Sequence, residues 1–285
     1  MKPLLHKQTA KHIEDFLSHP SHALLICGPV GSGKGTIATY IAAQALGIPT
    51  EKLGDNAYVR WLRDQQKGVA IEAIREAQTF MQLKVPGKQP IRRVLIVEQG
   101  ETMSNEAQNA FLKLLEEPPA DSLIIITATG LEQVLPTIRS RTQQLQILPP
   151  TFAQLEEYFA SDYSRIAITK AYYISEGYMG LMNALLDQDT DHPLVAQISV
   201  AKSLLGGSTF DRLKQVEEIT KQKQVALLLH AMERVSHAAL LQSSKGDTAM
   251  AKRWTNRLKV IVEARKALSM NAQPKLLLTN LMLNL

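Results

Sequence analysis

The chain has one cysteine in 285 residues, Cys27. That excludes a disulfide framework, and it excludes a structural zinc site, which needs about four Cys or His ligands in clustered pairs. The histidines His6, His12, His19, His22, His192, His230 and His237 are scattered without ligand spacing and do not make up the deficit. Cys27 itself is expected to pack as a small apolar residue. No run approaches the ~20 apolar residues a membrane span needs. The opening residues Met1-Lys2-Pro3-Leu4-Leu5-His6 lack the apolar core of a signal peptide. A cytoplasmic chain with no membrane partner, no zinc and no other bound metal is the expectation.

What is present begins with Leu24-Leu25-Ile26-Cys27, a short run of strand type, followed directly by Gly28-Pro29-Val30-Gly31-Ser32-Gly33-Lys34 and then the helical pattern Ile37, Tyr40, Ile41, Ala45, Leu46. Strand, glycine turn and helix form the context a phosphate-binding P-loop requires. Glycines at 28, 31 and 33 let backbone N–H groups converge on phosphate oxygens, the helix N-terminus adds positive potential, and Lys34 reaches the outer phosphates. The hydroxyl that usually holds magnesium follows the lysine directly, but here Gly35 comes first and Thr36 second. The predicted ligand is ATP or ADP, bound weakly and with little or no use for magnesium; the bland alternative is an empty turn that only preserves the fold. A loop of this form also opens nucleoside monophosphate kinases, an alternative that lacks their downstream arginine signatures in this chain.

A second element of the phosphate site is the run Arg92-Arg93-Val94-Leu95-Ile96-Val97 ending in Glu98-Gln99-Gly100-Glu101. Unbroken β-branched runs read as buried parallel strands, and acidic residues at their C-terminal edge face the nucleotide. ATPases of this architecture carry Asp-Glu after the run, whereas Glu98 is one methylene longer than aspartate and Gln99 has no titrating form near neutrality. Glu101, two positions further on, is expected to point the wrong way. Read blandly, residues 98–101 are a polar strand end.

Three stretches together carry a resemblance: Val94–Met103, Asn105-Glu106-Ala107-Gln108-Asn109-Ala110-Phe111-Leu112-Lys113-Leu114-Leu115-Glu116-Glu117-Pro118-Pro119, and Leu135-Pro136-Thr137-Ile138-Arg139-Ser140-Arg141-Thr142. They resemble the AAA+ clamp-loader subunits of bacterial DNA polymerase III, most closely the delta-prime branch, over roughly residues 5–150 and more weakly beyond. Gly68–Arg75 fits too, similar to the helix start before that family's second phosphate-site strand. The resemblance implies a fold, an α/β AAA+ P-loop core with a parallel sheet flanked by helices, then a small helical lid and an all-α C-terminal collar. It also implies a function, DNA replication, in which the subunit helps load a sliding clamp onto primed DNA beside gamma/tau and delta partners in a hetero-oligomeric ring.

Residue by residue, the resemblance assigns Arg141 as an arginine finger acting in trans on a neighbour's ATP, although Thr142 stands where the family's cysteine is expected. The guanidinium is the part the chemistry needs. A solvent-facing arginine or an intrachain ion pair is the alternative, and Arg139 could serve the same surface. Thr129 falls at the sensor 1 position, Glu98 and Gln99 form a degenerate Walker B, and Leu181, within Glu176–Ala184, replaces the basic sensor 2 residue. With Gly35, Gln99 and Leu181 in those places, the subunit is expected not to hydrolyse ATP. Relatives also carry a four-cysteine zinc module, for which this chain has no ligands. An active gamma-like loader motor is the competing reading; the chain is short for gamma/tau and its site too degraded.

Pro149-Pro150 and Gly206-Gly207-Ser208 are the boundary signals, predicting a core over 1–150, a lid over 151–206 and a collar over 207–285. Residues 208–285 hold thirteen Lys and Arg against six Asp and Glu, so the basic excess lies there. Apolar positions Val225, Leu228, Leu229, Met232 and Leu258, Ile261, Val262, Ala264, Leu268 are spaced for helices. Lys252, Arg253, Arg257 and Lys259 form a candidate basic face for DNA phosphates or simply a solvated helix.

Overall fold

The computed structural model describes residues 2–63, 69–244 and 246–285. The chain divides into two compact units, Met1–Pro150 and Thr151–Leu285. The division falls at the second proline of Pro149-Pro150, where the restricted proline backbone interrupts regular structure.

The first unit contains α1 (Lys7–Ser18), β1 (Ala23–Cys27), α2 (Lys34–Leu46), β2 (Val59–Leu62), α3 (Ile71–Gln82), β3 (Arg93–Val97), α4 (Asn105–Glu116), β4 (Ser122–Ala128), α5 (Pro136–Arg139) and β5 (Gln143–Gln146). The sheet order is β2-β3-β4-β1-β5, and every neighbouring pair is parallel. The three central strands are buried at every position, the pattern of strands covered on both faces. Alternation divides their side chains: Ala23, Leu25, Cys27, Leu95, Val97, Ile124 and Ile126 join Ile74, Ala77 and Met81 of α3 and Phe111 and Leu114 of α4 in one core. On the other side, α2 packs against β1, β3 and β4, and α1 against α2 and β5. This is the parallel sheet flanked by helices that the sequence predicts. The edge strands were not anticipated: β2 is only partly buried and β5 is Gln-Gln-Leu-Gln with one buried residue.

Arg93 shows how a charge enters this core. Its guanidinium pairs with Asp121 at 2.6 Å and donates to the carbonyl oxygens of Met81 and Leu83, so the open end of α3 and the loop before β4 are closed by one side chain. The helix predicted to begin near Gly68 starts at Ile71; Gly68 lies outside the described residues.

The second unit is helical throughout its described residues: α6 (Phe152–Phe159), α7 (Arg165–Ser175), α8 (Met179–Leu186), α9 (Pro193–Gly206), α10 (Thr209–Lys221), α11 (Val225–Ser243), α12 (Thr248–Ser269) and α13 (Pro274–Asn284). Thr151 and Gln154 form a reciprocal capping box at α6, and Ser164, Ser208 and Asp247 cap α7, α10 and α12. Gly206-Gly207-Ser208 is therefore the turn that ends α9 and caps α10. Helices from both sides of that turn pack together, α11 lying against α7, α9 and α12. Val225, Leu228, Leu229 and Met232 are buried, whereas in α12 Ile261 is buried and Val262 exposed. Among the described residues, no helix is long and apolar enough to cross a membrane.

Candidate phosphate site and interface arginine

The loop from β1 to α2 has the backbone its glycines permit. Gly31 and Gly33 have φ of 82° and 85°, the left-handed region where a Cβ is strained. A Cβ on Gly28 would lie 2.7 Å from Ser32 Oγ and 3.2 Å from Ile147 Cβ, so three of the loop's glycines are required by geometry. The N–H of Gly28 donates to the Ala128 carbonyl at 3.1 Å, anchoring the loop to the end of β4. Lys34, in the first turn of α2, donates to the carbonyl oxygens of Gly28 and Pro29 at 2.6 and 3.0 Å. Burial lowers its amine's pKa, and the negative charge of Glu101 acts in the opposite direction. Ser32 is 3% exposed, and its Oγ has no hydrogen-bond partner. Left-handed glycines, an orphaned buried hydroxyl and a lysine over the loop mouth fit a phosphate group.

The residues do not fit magnesium. Gly35 offers no side-chain oxygen, and the place where its Cβ would be is 3.4 Å from Glu98 Oε1. The other oxygen of that carboxylate, Oε2, is ion-paired with Arg63 Nε at 3.2 Å. Thr36 lies one position beyond the usual ligand. Among the described residues, no group of three His, Cys, Asp or Glu side chains could hold a metal ion.

Contrary to the sequence expectation, Glu101 does not point the wrong way: Gln99 adopts left-handed φ 54°, ψ 54° and residues 100–102 form a 3-10 turn, which brings the chain back across the sheet edge. Glu101 Oε1 accepts from Thr129 N at 3.0 Å and Thr129 Oγ1 at 2.7 Å, and its charge acts on both Lys34 and Cys27. Its Oε2 is buried without a partner. The Thr129 hydroxyl is thus engaged by Glu101 and also by Gln133, while the N–H of Gln99 donates to Thr127 Oγ1 at 3.1 Å. Cys27 is buried as expected, and burial first, then Glu101, pushes its thiol up to about 11.

At the other end of this unit α4 carries the Leu-Leu-Glu-Glu-Pro-Pro motif. Ser104 caps it by accepting from Ala107 N at 3.2 Å, and Phe111, Leu114 and Leu115 are buried beneath it. That packing leaves Glu116 outside, 2.8 Å from Arg141 Nη2; the two side chains are 49% and 36% exposed. Arg141 also donates to the Thr137 carbonyl at 3.1 Å. Arg139 differs, because its Nε is buried without an acceptor. In the second unit Leu181 is fully buried. Arg257, proposed as part of a basic face, is buried too and donates to the carbonyls of Leu205 and Leu285 at 3.1 and 2.9 Å. Only Lys252, Arg253 and Lys259 of that set are exposed, so the face is broken by a helix-closing arginine. Sequence reasoning missed Arg63, Glu116 and Thr127, whose neighbours come together only in the fold.

A five-stranded parallel sheet with a P-loop between β1 and α2, followed by an all-helical unit, defines a P-loop protein of the AAA+ class. Residues 5–151 match the protein family described as DNA polymerase III, delta subunit, and the chain belongs to that family. DNA polymerase III subunit delta' of Pseudomonas aeruginosa is 31% identical over 154 residues, 48% of this chain and 46% of that protein. Replication factor C small subunit 2 of Pyrobaculum arsenaticum is 27% identical over 190 residues, 64% of this chain and 57% of that protein. The chain thus spans less than two thirds of these curated relatives. A crystal structure of a DNA polymerase III gamma subunit-related protein from Thermotoga maritima has the same fold, with TM-score 0.58, 18% identity and 97% of each chain covered.

Proposed function

We propose that this chain is a delta-prime-like clamp-loader subunit that helps place a sliding clamp on primed DNA in a ring with gamma/tau- and delta-type partners. In this reading it holds ATP or ADP without hydrolysing it and acts in trans through Arg141. The observation that carries the reading is the setting of Arg141: a half-exposed guanidinium beside Ser140, held by an exposed carboxylate of the family's own α4 motif. Exposed ion pairs contribute about 0–1 kcal/mol, so Arg141 can leave Glu116 for a neighbour's γ-phosphate at little cost. Its own site supports the other half of the reading, since neither Gly35 nor Gln99 supplies what hydrolysis needs and Glu98 is engaged by Arg63. Residues 151–206 act as the lid and 207–285 as the collar.

The test is clamp loading and steady-state ATPase of the reconstituted complex. Arg141→Ala is expected to assemble normally and to lower DNA- and clamp-stimulated turnover. Arginine fingers contribute roughly 10³–10⁵-fold, and a smaller loss is expected where only one of several sites borrows this residue. Arg141→Lys rescues poorly because lysine lacks the planar fork. Assembly with wild-type loading by Arg141→Ala would sink the trans-acting role.

A further inference from the structure

We infer that Arg63 takes the place of a divalent cation at this phosphate loop, so that the chain binds a nucleoside diphosphate such as ADP independently of magnesium. The inference rests on the reading of residues 28–34 as a nucleotide site and adds the identity of its counter-charge.

The Glu98 carboxylate bridges two places. Oε1 faces the first turn of α2, where a metal-binding loop would carry its hydroxyl, and Oε2 holds Arg63 at 3.2 Å. Arg63 follows β2, whose Leu62 pairs with Val97 of β3, so it leaves the sheet at the same C-terminal edge as Glu98 and the phosphate loop. The guanidinium carbon also stands 4.0 Å from the centre of the Trp61 ring, an arrangement that favours a cation and restricts its rotamers. In a metal-using loop, a hydroxyl and a carboxylate's water shell frame the cation. Here the side-chain hydroxyl is absent, and the carboxylate already carries the Arg63 guanidinium, which also rests against Trp61.

The charge balance argues the same way. Among the described residues, Glu98, Glu101 and, through its action on Cys27, Glu132 bring negative charge to the site, and Lys34 and Arg63 positive charge. Removing Arg63 would leave an excess of negative charge against an incoming pyrophosphate, whereas adding magnesium beside Arg63 would set cation against cation. Ser32 Oγ, buried and without a partner inside the loop, is an independent sign that the loop is shaped for an oxygen-rich group.

The experiment is calorimetric titration of the full chain with ADP, in EDTA and in magnesium chloride, with a thermal melt of each variant to establish folding. Wild type is expected to bind ADP with affinities agreeing within about two-fold in the two buffers. Arg63→Gln should melt as wild type does and bind about ten-fold or more weakly in EDTA, the scale of a lost charge-assisted hydrogen bond. The double variant Arg63→Gln, Gly35→Ser should regain affinity only when magnesium is added. Magnesium-dependent binding by wild type, or undiminished binding by folded Arg63→Gln, would overturn the role of Arg63 and leave the nucleotide site standing. No binding by wild type in either buffer would remove the nucleotide site itself and the inference with it.

Discussion

Arg141 and Glu116 make a pair whose value lies in how easily it opens. Both side chains are more than a third exposed, so their attraction is screened and adds little stability. For the proposed trans-acting role positioning is the larger effect, because an arginine with several rotamers would be held in one region of the surface before a partner binds. Glu116→Gln is therefore expected to leave the melting temperature nearly unchanged and to lower the reconstituted complex's ATPase by less than Arg141→Ala does. In an Arg141→Ala background it should do nothing further, since the two residues then have no interaction left to lose. An independent, additive loss would show that Glu116 acts by another route. At this scale the sequence was legible wherever one residue type has one physical use, as with Gly31, Gly33 and Lys34. It misled at Glu101, because the left-handed backbone at Gln99 that turns the chain back is not encoded by a glycine. Glu116 and Arg63 were invisible for a different reason: their partners are 25 and 35 residues away in sequence.

The loop and helix α2 form the element where glycine has opposite meanings at adjacent sites. Gly33, with φ 85°, is the N-cap of α2 and occupies a conformation closed to other residues at low cost. Gly35 lies in the first turn of the helix, and an added Cβ there would meet only Glu98 Oε1 at an ordinary 3.4 Å. Gly33→Ala is accordingly expected to destabilise the chain by about 1–2 kcal/mol, and Gly35→Ala to leave it unchanged or stabilise it by up to about 1 kcal/mol, through helix propensity and a less flexible unfolded chain. Denaturant melts of the two variants read the sign directly, and equal destabilisation by both would refute the distinction. Elements of this kind were readable in advance: β1, β3 and β4 are unbroken apolar runs, and α2 and α4 have helical spacing. The edge strands were not, because β2 and β5 bury little and so carry no hydrophobic pattern, their place being set by pairing with Val94–Val97 and Leu24–Cys27.

For the whole molecule the question is whether a P-loop fold is also an engine. The fold class is set by the buried strands and the loop, all of which are intact. Turnover depends on a few polar groups at the edge of the sheet, which can vary while the fold is kept. Hydrolysis needs a group that orients or deprotonates the attacking water and charges that stabilise the transferring phosphoryl. Gln99 cannot accept a proton; Glu98 is bound to Arg63; Glu101 holds Thr129 through one oxygen and keeps the other buried. Leu181 is packed inside the helical unit and brings no charge anywhere. The isolated chain is therefore expected to turn over ATP no faster than its Lys34→Ala variant, in a steady-state phosphate-release assay with magnesium present. The same preparation, offered nucleoside monophosphates, is expected to transfer no phosphoryl group to them. Turnover clearly above the Lys34→Ala background would mean that Glu101, carried toward the loop by the turn at Gln99, serves as the base that the sequence pattern lacks. Glu101→Gln would then abolish the activity, and the chain would be an active motor whose catalytic carboxylate has moved two residues along the strand end.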